Sequence, residues 1–178
     1  MKKFRFLLSL WIVCIAFSCV PKVEPNVEFE EVRIHRWTAL EGGETLVLRR
    51  VGSNWSAKLQ GDGNRFSCFY QRDEKPKSDW NQFWNTLIVE GLMELSGNER
   101  SMGLEDGDGF DVEVTYQGKL RQYSVDNPTH QKSDNAKRIL RIGDLISREF
   151  DSPMFVADYD RGRVGEYLID SCRELKKQ

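Results

Sequence analysis

The chain has 178 residues, with 26 Lys+Arg against 28 Asp+Glu and a formal net charge of −2. This length suits one domain of ordinary size, and a content of 39% hydrophobic and 11% aromatic residues excludes a disordered, collagenous or multi-span membrane protein. The balanced charge gives no indication of a nucleic-acid partner, and four cysteines are too few for a disulfide scaffold of this size.

The amino-terminal segment has the pattern of a secretory signal peptide. Lys2, Lys3 and Arg5 precede an uncharged run of 15 residues from Phe6 to Val20. A basic start followed by a short apolar run is typical of such signals. The run is shorter than the ~20 residues that a membrane-spanning helix needs, so a signal anchor is the weaker interpretation.

A cysteine ends this apolar run in a specific context. Ala16-Phe17-Ser18-Cys19 places small residues three and one positions before the cysteine. The motif resembles the lipobox of bacterial lipoproteins, and this resemblance implies that Cys19 is diacylated and becomes the new amino terminus. Ordinary signal-peptide cleavage is the alternative interpretation.

The resemblance implies a division of the chain and a location for the protein. Residues 1–18 are then a signal peptide, residues 19–27 a lipidated tether, and residues 28–178 a single domain held at the bacterial cell envelope, on the periplasmic face or the cell surface. The membrane is the partner that the anchor implies. Loss of the three basic residues of the signal leaves 23 of the 26 basic and all 28 acidic residues, so the formal charge becomes −5.

The first part of the domain has the pattern of β-strands. From Glu28 to about Gln71, short runs of strand-forming residues are separated by the turn-forming segments Gly52–Asn54 and Gly61–Asn64. In one run Trp55, Ala57 and Leu59 alternate with polar residues, as in a half-buried strand. The spacing of about ten residues predicts an antiparallel meander of four strands.

A helix with an aromatic stripe is predicted next. Its apolar positions follow helical spacing and comprise Trp80, Phe83, Trp84, Leu87, Ile88 and Leu92. Ser78 or Asp79 can cap its start, and Gly97 lies near its predicted end. Trp80, Phe83 and Trp84 could line a ligand groove, but their spacing fits burial in the core better.

A hairpin and two further helices follow. With Gln117-Gly118 as a two-residue turn, Phe110 faces Val125, Val112 faces Tyr123 and Val114 faces Arg121, which separates an apolar from a polar face. The next helix is predicted over Asp134–Phe150, with Ser133 or Asp134 as its cap. The last helix carries its apolar stripe at Val164, Tyr167, Leu168, Cys172 and Leu175.

Separate strand and helix groups predict an α+β fold. We expect an antiparallel sheet, made of the four-strand meander and the hairpin, with two to three helices packed on one face. This order of elements loosely resembles small secreted α+β proteins of bacteria that are uncharacterised, and that resemblance implies no activity.

Two cysteines remain once Cys14 leaves with the signal and Cys19 carries lipid. Export to an oxidising compartment favours a disulfide between Cys68 and Cys172, which would tie the last helix to the fourth strand. Two separate buried thiols are the alternative, and a catalytic Cys–His pair is the weakest interpretation.

Metal, cofactor and catalytic signatures are missing from the sequence. His35 and His130 are its only histidines, and neither HExxH nor CxxC occurs. The glycine-rich loop from Gly103 to Gly109 and the residues just after it contain an acidic cluster of Glu105, Asp106, Asp108 and Asp111. The spacing of these acids does not match the calcium-loop pattern. GxSxG, P-loop and GxGxxG motifs are also missing, so no cofactor is expected.

These observations favour a non-enzymatic, lipid-anchored envelope protein that binds a protein or small ligand. Two alternatives stay open. One is an envelope hydrolase that uses acidic residues, since 28 acids offer many pairs. The other is an inhibitor or immunity protein of an envelope enzyme.

Overall fold

The computed structural model describes residues 29–39, 42–63, 68–100, 107–156 and 161–175. The strands are β1 (Phe29–Thr38), β2 (Gly42–Val51), β3 (Asn54–Gly63), β4 (Cys68–Glu74), β5 (Gly97–Glu99), β6 (Asp108–Tyr116) and β7 (Lys119–Asp126). The helices of this part of the chain are α1 (Trp80–Val89), α2 (Asp134–Phe150) and α3 (Arg161–Leu175). Short 3₁₀ turns occur at Leu92–Glu94, Pro128–His130 and Pro153–Phe155. The α+β class is confirmed.

The seven strands of the described ranges form one mixed sheet in the order β4-β3-β2-β1-β6-β7-β5. The prediction of a purely antiparallel sheet is wrong, because β5 pairs with β7 in parallel, with Gly97 opposite Tyr123. β5 has only three residues, too few for a period-two pattern to show in the sequence. β5 follows α1 and is not joined to its partner β7 by a hairpin turn, so the sequence contains no turn signal that would predict this strand either.

β1 to β4 form the meander, but β3 is longer than predicted. Gly61–Asn64 reads as a turn in the sequence, whereas β3 continues through Gly63 and pairs with β4. Gly61 lies under the ring of Tyr70, and a Cβ atom at this glycine would lie 2.1 Å from ring atoms. The glycine is needed here for the close approach of an aromatic ring.

The hairpin of β6 and β7 has the predicted register. Phe110 lies opposite Val125, Val112 opposite Tyr123 and Val114 opposite Arg121. Gln117 and Gly118, at the turn, both have positive φ angles, 49° and 70°. Two successive left-handed residues match the twist of the flanking strands, so this two-residue turn fixes the register.

The helix starts also follow the sequence signals. The Asp79 carboxylate accepts hydrogen bonds from the backbone N–H groups of Asn81 and Gln82, and the Ser133 hydroxyl accepts one from Ala136. α1 ends at Val89, earlier than predicted, because Gly91 takes a left-handed conformation with φ 91°. α2 has the predicted bounds.

The helices cover one face of the sheet, and the core lies between the two layers. From the strands the buried side chains include Val32, Ile34, Leu46, Leu48, Leu59, Val112 and Val125. From the helices they include Leu87, Ile139, Ile142, Ile146, Val164 and Leu168. Along each central strand the alternate residues point to the opposite side, which no helix of the described residues covers, and we call this side the uncovered face. Within the described ranges, no helix is long and apolar enough to cross a membrane.

Candidate functional site

The uncovered face of the sheet carries a cluster of basic side chains. Arg33 on β1 lies opposite Val47 on β2, which lies opposite Lys58 on β3. Arg49 lies two residues along β2 from Val47, on the same face. Together with Ser56 and Gln60, these residues line a shallow depression of about 220 Å³. We call this cluster of Arg33, Arg49 and Lys58 the basic site.

Glu31 holds the two arginines of the basic site in place. Arg33 Nε donates to Glu31 Oε1 at 2.6 Å, and Arg49 donates to Glu31 Oε2 through Nη2 at 2.7 Å and through Nε at 3.0 Å. Burial opposes ionisation of Glu31, but the hydrogen bonds and charges of both arginines outweigh burial and lower its pKa. One carboxylate therefore fixes two guanidinium groups that are each about half exposed.

Lys58 is held more loosely. Its Nζ lies 3.7 Å from the Asp73 carboxylate, and the two side chains are 45% and 83% exposed. An exposed pair at this distance contributes little, so the ammonium group can turn toward a ligand at small cost. The three cations, Glu31 and Asp73 sum to a formal charge of +1, and Glu113 on β6 lies opposite Arg33 at the border of this group.

The size of the depression limits what it can hold. Pockets that enclose a whole small molecule usually have about 300–1,000 Å³. The value of about 220 Å³ is below this range. Forked guanidinium groups suit carboxylate and phosphate oxygens. The basic site is therefore suited to one anionic group of a larger partner.

A second polar cluster lies on the helix-covered face, around Glu44 of β2. Glu44 is fully buried and accepts hydrogen bonds from Tyr70 Oη at 2.6 Å and Tyr167 Oη at 2.8 Å, and from the hydroxyl of Ser152. Burial raises the pKa of Glu44, and the three hydroxyl groups offset only part of this effect. The cluster joins β2 and β4 to α3 and to the segment after α2.

Arg72 extends this cluster toward the surface. Its Nη2 donates to Tyr167 Oη at 2.5 Å, and its Nε lies 2.8 Å from Glu74 Oε1. Burial and the charge of Glu44 raise the pKa of both Tyr70 and Tyr167, so both hydroxyl groups stay protonated as donors. The arrangement suits a role in holding α3 against the sheet.

The predicted acidic cluster is divided in the structure. Asp108 forms an ion pair with the fully buried Arg36, whose guanidinium lies 4.6 Å from the centre of the Phe110 ring. Asp111 lies on the uncovered face and accepts hydrogen bonds from Arg100 at 2.6 Å and Ser124 at 2.7 Å. Glu105 and Asp106 lie outside the described residues. Among the residues that the structure describes, no group of three or more His, Cys, Asp or Glu is placed to hold a metal ion.

The aromatic residues predicted as a groove have different surroundings. Phe83 is buried, with its ring edge-on to Phe150 at 5.3 Å, and Trp84 is almost buried. Trp80 is partly buried and stacks on Trp55 at 6.0 Å. The alternation of residues in the sequence predicts Trp55 in a strand, but nothing in a single sequence shows that β3 and α1 pack together here.

The histidines and cysteines have the following positions. His35 Nδ1 lies 2.9 Å from the Thr45 hydroxyl oxygen on the uncovered face, and His130 is exposed in a 3₁₀ turn. Cys172 is disulfide-bonded. The backbone of Cys68 belongs to β4, which packs against α3, but its side chain lies outside the described residues, so the Cys68–Cys172 pair stays a prediction. Cys14 and Cys19 also lie outside them.

The basic site was missed in the sequence. Arg33, Arg49 and Lys58 lie far apart in the chain, and a one-residue shift of any strand would move its side chain to the covered face. The alternation around Lys58 gave the available signal, since it placed this lysine on a polar face.

Comparisons with known proteins gave no match for this chain. No protein-family model matches the chain, and neither a curated protein nor a solved structure matches it. Function therefore has to be inferred from the residues and their arrangement.

Proposed function

We propose that this protein is a lipid-anchored component of the bacterial envelope, whose domain binds an acidic segment of a partner protein without catalysing a reaction. The anchor is supported by the signal pattern and by the lipobox-like motif that ends at Cys19. The binding role is supported by the basic site on the uncovered face of the sheet.

The basic site is the observation that carries the binding role. Packing does not require its three cations, since the helices cover the other face of the sheet and each of the three side chains is about half exposed. Glu31 fixes both arginines before any ligand arrives, which lowers the ordering cost of binding. A cationic patch on an acidic domain selects an acidic partner by charge complementarity.

A hydrolase that uses acidic residues has less support. A general acid needs a pKa near the working pH and must lie within hydrogen-bond reach of its substrate. Glu44 has a raised pKa, but it is fully buried and its carboxylate is occupied by three hydroxyl groups. An inhibitor or immunity protein is a special case of the binding proposal, in which the partner is an envelope enzyme.

The anchor is tested by changing Cys19. We expect the wild-type chain to float with membranes and to carry the added mass of acyl groups, and the Cys19→Ser variant to lose both properties. An unchanged mass and unchanged flotation of the variant would refute acylation at this position.

The basic site is tested by isothermal titration calorimetry with a hexaglutamate peptide, at low and at physiological salt. We expect the double variant R33Q/K58Q to bind about tenfold more weakly. The matched control K132Q/K137Q removes the same charge from exposed positions near the start of α2 and should bind like the wild type. Equal affinities of both double variants would refute a specific site, and tighter binding of inorganic phosphate than of the peptide would indicate a phosphate ligand instead.

A further inference from the structure

The start of β1 and a group of aromatic and aliphatic side chains lie at the same end of the sheet. At this end β1 and β3 begin and β2 ends, with Glu30 opposite Arg50 and Arg50 opposite Trp55. β6 ends and β7 begins there as well, with Tyr116 opposite Lys119. We call this region the anchor end. It comprises Arg50, Val51, Trp55, Trp80, Tyr116, Lys119 and Leu120.

Four aromatic rings form a continuous row at the anchor end. Trp55 stacks on Trp80 with ring centres 6.0 Å apart and contacts Trp84 at 5.2 Å, and Trp84 lies 6.4 Å from Tyr116. Trp55, Trp80 and Tyr116 are only partly buried. Tryptophan and tyrosine with one apolar and one wet side are the residues that favour the interface between lipid and water.

Two exposed aliphatic side chains lie at the same end of the sheet, on its uncovered face, and α1 adds an uncharged surface beside the aromatic row. Val51 is 41% exposed and Leu120 is 61% exposed, both at the anchor end. α1, which supplies Trp80 and Trp84, contains no charged residue in ten. A surface with these groups can approach a bilayer without removing an acid of α1 from water.

The two ends of the sheet also differ in charge. Lys119 and Arg50 lie at the anchor end, where the Arg50 guanidinium is 5.3 Å from the centre of the Trp55 ring and pairs with Glu30 at 3.4 Å. The opposite end contains Asp108 and Asp126. Anionic lipids would attract the first end and repel the second.

The length of the proposed tether sets which end is near the membrane. Phe29, the first residue of β1, lies ten positions after Cys19, and a fully extended chain over ten positions spans about 35 Å. Acyl chains on Cys19 would keep the start of β1 within this distance of the bilayer. At such proximity even weak contacts are occupied much of the time.

We propose that the anchor end docks on the bilayer surface, with Trp55, Trp80 and Tyr116 in the interfacial layer. This inference rests on the lipid anchor proposed above. The strands then run away from the membrane, and the uncovered face with its basic site stays open to a partner at the side of the domain.

The test uses the full chain in vesicles of phosphatidylethanolamine and phosphatidylglycerol that carry bromine on their acyl chains. Two single-tryptophan variants are compared, one with Trp80 and one with Trp37, the other tryptophans being changed to Phe. Trp37 lies seven residues along β1 from Glu30, about 23 Å from the anchor end. We expect the brominated lipid to quench the fluorescence of Trp80 and the emission of Trp80 to shift to the blue. The emission of Trp37 should stay unchanged.

A second pair of variants keeps the test decisive if the tryptophan changes disturb folding. Leu120→Glu adds a charge at the anchor end, and Phe69→Glu adds the same charge at the opposite end, where Phe69 is 66% exposed. In the chain with all native tryptophans, we expect Leu120→Glu to reduce quenching by brominated lipid at least twofold and Phe69→Glu to leave it unchanged.

Flotation separates the two proposals. A protein that floats but shows equal quenching of Trp80 and Trp37, or equal effects of the two Glu variants, keeps its anchor and overturns the docking. A protein that fails to float overturns the anchor and the docking with it.

Discussion

The two faces of the sheet come from the same strands but differ in almost every physical property. The covered face packs aliphatic side chains such as Ile34 and Leu46 against the helices, and these side chains have no exposed surface. The uncovered face carries Arg33, Arg49 and Lys58 around a shallow depression. The packing that stabilises the fold lies on the covered face, so the fold does not constrain the residues of the uncovered face as strongly, and these residues can bind a partner.

The covered face has an exception at the end opposite to the anchor end. Arg36 and Glu44 are direct neighbours on β1 and β2, and both are fully buried. Each has its own partners, Asp108 for the arginine and three hydroxyl groups for the glutamate. The contacts of Glu44 help to fix the position of α3, since Tyr167 belongs to this helix.

The largest effect on the covered side should come from Cys172, because its disulfide holds α3. We expect Cys172→Ser to lower the free energy of unfolding by about 4–5 kcal/mol if the bond closes the loop of about 100 residues to Cys68. Urea unfolding with and without reductant measures this loss. Cys68→Ser should produce the same loss, and a stable Cys68→Ser variant would show that Cys172 bonds to another cysteine.

A direct comparison of the two faces uses adjacent residues of β2. Leu46→Ala creates a cavity in the core and should cost about 3 kcal/mol, whereas Val47→Ala, on the uncovered face, should cost about 1 kcal/mol or less. Thermal or urea unfolding of both variants measures the difference. Equal losses would show that the uncovered face is packed against something in solution.

Local patterns in the sequence predicted most of the fold. The bounds of α2, the cap of α1 at Asp79 and the register of the β6–β7 hairpin all depend on contacts within a few residues, which a single sequence records. β5 could not be predicted, because three residues carry no period and their partner β7 follows later in the chain.

The candidate site could not be predicted for a related reason. Arg33, Arg49 and Lys58 lie on three strands, and only the observed register places them together. Glu44 was missed because the sequence offers no sign that Tyr70, Ser152 and Tyr167 converge on one carboxylate. In both cases the decisive contacts join residues that are distant in the chain.

Glu44 should make the covered face sensitive to pH. Its pKa in the folded protein is raised above the ordinary value of 4.5, so the folded state holds this proton more tightly and is stabilised at low pH. This contribution is lost as the pH rises from 4.5 through the raised pKa, by at most about 1.4 kcal/mol per pH unit. Free energies of unfolding of the wild type and Glu44→Gln, measured from pH 4 to pH 8, should shift in favour of the variant as the pH rises. Parallel curves would contradict a raised pKa.

The smallest expected effect lies on the uncovered face and has the opposite sign. The folded state lowers the pKa of Glu31 below 4.5 through Arg33 and Arg49, so its contribution is present above pH 4.5 and is lost as the pH falls through the lowered value. Both arginines are about half exposed, which limits the contribution to about 1 kcal/mol or less. Glu31→Gln should therefore be slightly less stable than the wild type at pH 7, and the difference should shrink as the pH falls below 4.5. Salt should also reduce the difference. Cationic neighbours stabilise the ionised form of Glu31, whereas burial disfavours the ionised form of Glu44. The same direction of pH dependence for both glutamates would therefore refute the contrast between the two faces.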